Sequence, residues 1–246
     1  MEKINRLGEE KINKIGSEMK ITRYNGNKDI DVYFPEYGYT ATNKNYNDFK
    51  NGRIKCPYEP RTYGIGYIGE GKYSFSESGE LTNCYKTWKS MLMRCYCKNY
   101  LSKNTAYEDI YVCNEWHNFQ NFAQWYEENY YEVPGEKMCL DKDILSTESK
   151  IYSPDNCIFV PEKINLLFIN SNKSKGYQIV NGKYKAKCNI DKIKKYLGSY
   201  DTPEEAFQAY KQFKENYIKQ VADEYKDLIP EKLYNAMYEY EVEIED

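Results

Sequence analysis

Apolar residues recur along this chain with two different periods, and the switches between them divide it into elements. Tyr85, Trp88, Leu92 and Cys95 fall on one helical stripe, which predicts a helix over 82–100. Trp116, Phe119, Phe122, Ala123 and Tyr126 predict a second over 115–128, ended by Val133-Pro134-Gly135. Ala206, Tyr210, Phe213, Tyr217 and Val221 line a third that reaches about Lys226. Its start is well marked: Thr202 and Glu205 have capping-box spacing, with Pro203 at the first helical position. Pro161 likewise opens a helix over 162–170, and Pro230 precedes a short one ending near Tyr240.

Strands read as short runs between turn residues. Lys20–Tyr24 and Asp29–Phe34 flank Asn25-Gly26-Asn27, and Tyr39–Thr42 adds a third short strand. Residues 45–50 read as one helical turn stopped by Asn51-Gly52. Met138–Asp141 and Cys157–Val160 read as a pair separated by a polar loop over 145–152. Tyr177–Val180 and Lys183–Asn189 meet at Asn181-Gly182, a type I′ hairpin signal, and Lys192–Leu197 follows as a third strand broken by Gly198. Residues 1–19 are charged and mildly periodic, which suggests a loose helix or arm. Residues 57–79 hold two prolines and five glycines and read as a connector. Gly64, Gly66 and Gly69 lie inside it, but no helix follows as a phosphate-cradling loop requires.

The resulting fold class is α+β, built from several small modules. An N-terminal arm and β-hairpin module spans 1–79. An aromatic helical region with a strand–loop–strand–helix finger spans 80–171. A three-stranded antiparallel sheet plus helix spans 172–228, and a short helix with an acidic tail spans 229–246.

Composition refines this picture. The 246 residues have a mean hydropathy of −0.89 yet include 28 tyrosines, so much of the core must be aromatic with polar tips. Net charge is −3, which removes the global basic excess usual for a nucleic-acid binder. The charge is sorted instead. Thr82–Lys103 carries five basic residues and no acidic one, and Tyr107–Glu136 seven acidic and no basic. Asn172–Tyr200 sets eight lysines against Asp191. Such asymmetry can steer a polyanion to one face of an acidic protein, and it is equally what solvated faces look like. No signal-peptide core and no membrane-length apolar run is visible, so the expected location is the cytoplasm, with the eight cysteines reduced and no membrane partner. With one histidine, His117, and no Cys-x-x-Cys pair, no zinc site is expected.

Alternation places Lys183, Lys185 and Lys187 on one face of their strand and Tyr184, Ala186 and Cys188 on the other, with Lys194 and Tyr196 positioned to join the first set. A basic three-stranded sheet can enter the major groove of duplex DNA. It can also be a face kept soluble and unpaired by lysine.

A second constellation surrounds Leu140-Asp141-Lys142-Asp143. Asp141 and Asp143 close a strand, Asn156 precedes the next one, and Asn165 lies on the helix that follows. Oxygen donors spaced in this way can converge on a hard divalent cation, Mg²⁺ or Mn²⁺. The competing reading is a plain turn, with Asp141, Ser153 and Asn156 serving as caps.

Two stretches carry a family resemblance. Lys183-Tyr-Lys-Ala-Lys-Cys188 followed by Tyr196-Leu-Gly-Ser-Tyr-Asp-Thr-Pro-Glu-Glu-Ala206 resembles an AP2-type DNA-binding domain. Tyr85-Lys-Thr-Trp88 through Arg94-Cys95-Tyr96, together with Val112-Cys113-Asn-Glu115-Trp116, Leu140–Asp143 and Tyr152–Cys157, is similar to phage and mobile-element HNH endonucleases that carry such a module. The resemblance covers roughly residues 82–225. It implies a ββα-metal finger that binds one Mg²⁺ or Mn²⁺ and cleaves double-stranded DNA. In it Asp141 and Asn165 would be metal ligands, and Asp141, Lys142 and Asn156 the catalytic positions. Lys183, Lys185, Lys187, Lys194 and Tyr196 would be the DNA-binding residues. Lys142 stands where the family has its histidine base, and an ordinary ammonium, protonated at neutral pH, cannot accept a proton. The sequence therefore leaves two alternatives beside a metal-dependent endonuclease. One is a non-catalytic phage protein that binds and inhibits a host antiviral defence protein. The other is a DNA-binding regulator.

Overall fold

A computed structural model describes residues 5–145, 149–168, 176–190 and 193–243. The chain divides into two compact units, Met1–Glu128 with Lys150–Tyr152, and Asn129–Ser149 with Ser153–Asp246.

The first unit opens with an antiparallel meander of β1 (Glu10–Ile12), β2 (Glu18–Tyr24), β3 (Ile30–Phe34) and β4 (Tyr39–Lys44), followed by α1 (Tyr46–Lys50). Met19, Ile21, Ile30, Val32, Phe34 and Ala41 form its buried side and meet Tyr46 and Phe49 of α1. Residues 1–4 of the helix or arm expected over 1–19 lie outside the described residues, and over 5–19 the expectation is corrected here. Asn13 Oδ1 accepts from the N–H groups of Ile15, Gly16 and Ser17, closing a turn that sends the chain back as a strand. A side chain that caps its own backbone competes with helix formation, and Leu7, Ile12 and Ile15, apolar positions of the expected stripe, are exposed.

A small hairpin, β5 (Ser76–Glu77) and β6 (Glu80–Leu81), leads to α2 (Asn83–Tyr96), whose first turn is capped by Thr82. The helix predicted to run to residue 100 stops at Cys97, which is extended, and resumes as α3 (Lys98–Leu101). Then come β7 (Tyr111–Val112), a 3-10 turn over Asn114–His117 and α4 (Phe119–Asn129). Trp88, Trp116, Phe119 and Phe122 are fully buried, and the Trp88 indole N–H donates to the Trp116 carbonyl at 2.7 Å. That bond supplies the polar partner which a buried indole requires.

The second unit contains β8 (Met138–Asp141), and the first reclaims β9 (Ile151–Tyr152), which pairs in parallel with β7. The polar loop predicted over 145–152 therefore ends in a strand, with Tyr152 buried. β10 (Ile158–Pro161) runs antiparallel to β8, with Asp141 opposite Ile158, and α5 (Glu162–Phe168) follows directly. Residues 169 and 170 of the predicted helix lie outside the described residues.

The remaining elements are β11 (Tyr177–Val180), β12 (Lys183–Ile190), β13 (Ile193–Tyr200), α6 (Pro203–Tyr225) and α7 (Glu231–Glu239). The sheet order is β11-β12-β13, antiparallel throughout. Asn181 and Gly182 both have positive φ, 54° and 74°, as a type I′ turn requires. Gly198 does not break the third strand. It sits inside β13 with φ 140°, beside a bulge between Ala186 and Lys187, where only glycine tolerates the kink. The capping box at Thr202 and Glu205 forms as the sequence implies.

α6 serves two layers. Ala206 and Phe207 at its N-terminal end are buried, and it packs across β11, β12 and β13. Farther along, Ile218, Val221, Ala222 and Tyr225 enter one apolar cluster with Ile158 and Val160 of β10, Ile164 of α5, and Leu233 and Met237 of α7. A three-stranded sheet alone is marginal; the long helix joins it to a second core. All eight cysteines are free thiols. No helix among the described residues is long and apolar enough to cross a membrane.

Candidate nucleic-acid face and carboxylate turn

Because α6 covers one side of the sheet, the alternation of β12 sorts its side chains cleanly. Ala186 and Cys188 are buried, while Lys183 is exposed and Lys185 and Lys187 are half-buried on the opposite side. Register extends that outer face to the neighbours: Gln178 lies opposite Lys185, Tyr196 opposite Lys187, and Lys194 opposite Asn189. Lys194 and Tyr196 are both exposed. Lys183 forms an ion pair with Asp201, and the Lys187 ammonium donates to Gln178 Oε1 at 2.9 Å. Among the described residues, Lys185, Lys187 and Lys194 have no acidic partner. The outer face is thus a row of cations that folding has left uncompensated.

The Asp141 segment is organised differently. One carboxylate oxygen of Asp141 accepts from the backbone N–H groups of Asp143 and Ile144, each at 2.8 Å. Burial holds this carboxyl above the ordinary carboxylate range, against the opposing pull of those two N–H donors. Oδ2 makes no hydrogen bond among the described residues. Lys142 is only 5% exposed, and its ammonium donates to Asp143 and, at 3.0 Å, to the Ser149 carbonyl. The Asn156 amide donates to Ser149 Oγ at 2.8 Å. Lys142 and Asn156 therefore meet at Ser149, a residue with no signal in the sequence. Asn165 is half-buried on α5, one position after the fully buried Ile164.

As a cation site this set is thin. Asp141 offers one oxygen, Asp143 is engaged by the Lys142 ammonium, and Asn156 and Asn165 are neutral amides. Hard divalent ions favour several carboxylate oxygens. Among the described residues no group of three or more His, Cys, Asp and Glu side chains could hold a metal ion. The sole histidine, His117, lies in the first unit. Its ring is set edge-on to Tyr96, its Nε2 is buried without a partner among the described residues, and burial holds its pKa below the usual value.

Comparisons of the chain with protein-family models, with curated proteins and with solved structures return no match.

Proposed function

We propose that this chain is a DNA-binding protein of the HNH/AP2 type, which places the outer face of the β11–β13 sheet in the major groove of duplex DNA. The single observation that carries this reading is the uncompensated lysine row, Lys185, Lys187 and Lys194, presented with Tyr196 on the side away from α6. Desolvating a cation that already has an acidic partner gains little, whereas an unpaired one can release counterions from phosphate. Lysine brings a point charge and not the bidentate fork of arginine, so backbone contact outweighs base reading in this interface.

In the same reading β8, β10 and α5 form the ββα finger, with Asp141 as the carboxylate for Mg²⁺ or Mn²⁺ and Asn165 as a second donor. Lys142 holds the turn through Asp143 and Ser149 and supplies no base. Binding, not cleavage, is the primary activity. The test is a duplex titration over a range of salt, with and without Mg²⁺, followed by gel analysis of the same samples. A steep loss of affinity with salt is the expected result. Absence of any duplex binding at low salt would refute the assignment. Nicking that needs Mg²⁺ and vanishes in Asp141→Asn, which keeps the turn-forming oxygen, would restore a catalytic role to the finger.

A further inference from the structure

A groove of about 800 Å³ lies where β13 crosses α6 and α5. On α6, Phe213, Asn216, Tyr217, Gln220 and Glu224 follow one another at helical spacing along one side of the helix. The buried positions of α6 are Ala206, Phe207, Ile218, Val221, Ala222 and Tyr225; on the groove side Phe213 and Tyr217 are half-buried, and Tyr217 also packs against the cluster shared with β10, α5 and α7. Asn216 and Gln220 are exposed. Opposite them β13 contributes Lys195, whose ammonium stands 4.7 Å above the Phe213 ring. Lys195 lies opposite Cys188 in the register, so it faces the helix and not the outer lysine row. Among the described residues it has no acidic partner. Lys163 adds a third cation beside Lys194 and Lys195, and it is the one that Glu224 offsets, at 3.4 Å.

Lysines, aromatic rings and amide side chains in a concave channel form the combination that grips an unpaired nucleic-acid strand: cations follow the phosphates, rings stack on bases, and amides meet base edges. An unpaired strand, with its bases free to stack, suits such a groove, while the major groove of a duplex admits β elements such as the outer face of the sheet. The two surfaces are continuous, because Lys194 and Tyr196 belong to both. We propose that this groove binds a single-stranded DNA segment that leads away from the duplex held on the sheet. The proposal rests on the nucleic-acid reading of that sheet.

The test uses the full chain with a short fluorescent oligothymidylate and, separately, a labelled duplex, both read by anisotropy. Lys195→Glu is expected to weaken single-strand binding about tenfold and duplex binding much less, and Lys185→Glu to do the reverse. Lys195→Gln, with an unchanged thermal melt, controls for misfolding and is expected to fall between wild type and Lys195→Glu. Duplex binding without single-strand binding would overturn the groove and leave the sheet assignment standing. An equal drop in single-strand binding in both reversals would also overturn it. Single-strand binding that depends on Lys195, with no duplex binding, would support the groove and refute the sheet assignment.

Discussion

The protein contains two antiparallel meanders, each buried on one side, and they solve the same folding problem by opposite means. In the β1–β4 sheet the buried face is large: Phe34, Ile21, Ile30 and Val32 fill it. Two of its four cations are matched, and Lys11 and Lys44 have no acidic partner among the described residues. Arg23 sits between Asp29 at 2.8 Å and Asp31 at 2.6 Å, Lys20 meets Glu10 at 2.8 Å, and Arg53, in the segment after α1, meets Asp48 at 2.9 Å. In the β11–β13 sheet the buried face is small, with Ala186 and Cys188 under α6, and the outer cations are mostly unmatched. The first sheet ties its Arg23 between two carboxylates at its centre. The second is held by the close approach of a helix and leaves its charge available. Surface ion pairs contribute little to stability, so neither sheet depends on them to stay folded.

Three experiments probe that contrast, and a fourth tests a buried group outside both sheets. The largest effect should come from Phe34→Ala, which empties the first sheet's core; stability is expected to fall by about 3–5 kcal/mol, measured by urea denaturation, with no change in the salt dependence of DNA binding beyond that of unfolding. Next is the triple variant Lys185→Glu, Lys187→Glu, Lys194→Glu. It should lower duplex affinity about a hundredfold or more and flatten the log–log salt slope by about 0.9 for each phosphate no longer neutralised, with the thermal melt little changed; an unaltered slope would mean that the face does not meet DNA. Ala186→Leu should then cost about 1–3 kcal/mol by overpacking the junction between β12 and α6, showing that the second sheet depends on small residues where the first depends on large ones.

The smallest effect belongs to a residue of neither sheet. Burial depresses the His117 pKa, so the unfolded chain takes up the proton first as pH falls below the ordinary histidine value. The stability that His117 contributes is complete above that value and declines as pH drops toward its folded pKa. Urea midpoints measured through this range should show a decline that His117→Gln reduces. An identical pH profile in the variant would remove His117 as the cause.

What is legible in the sequence is local. The Asn181-Gly182 turn, the Thr202–Glu205 capping box and the alternation through β12 depend on φ preferences and on side-chain period, and these act over a few residues. They suffice to set Lys183, Lys185 and Lys187 opposite Ala186 and Cys188. The absence of a helix over the described residues 5–19 has a local cause as well, because the Asn13 side chain caps its own turn.

Tertiary structure decided the rest, because it depends on which distant groups meet. Lys142 reads in the sequence as a charged loop residue between two acids; only folding carries Ser149 to its ammonium and buries it. Lys195 and Lys194 are adjacent in the chain, yet Lys195 stands over the Phe213 ring while Lys194 lies in register with Asn189 of the outer face, a division made by the register of β12 with β13 and by the helix laid across them. That α6 joins the sheet to the core of β10, α5 and α7 follows from its length, but which residues it meets there does not. A side chain's type and period can be read along a line; its partners are fixed only when burial, charge and hydrogen bonding are satisfied together in three dimensions.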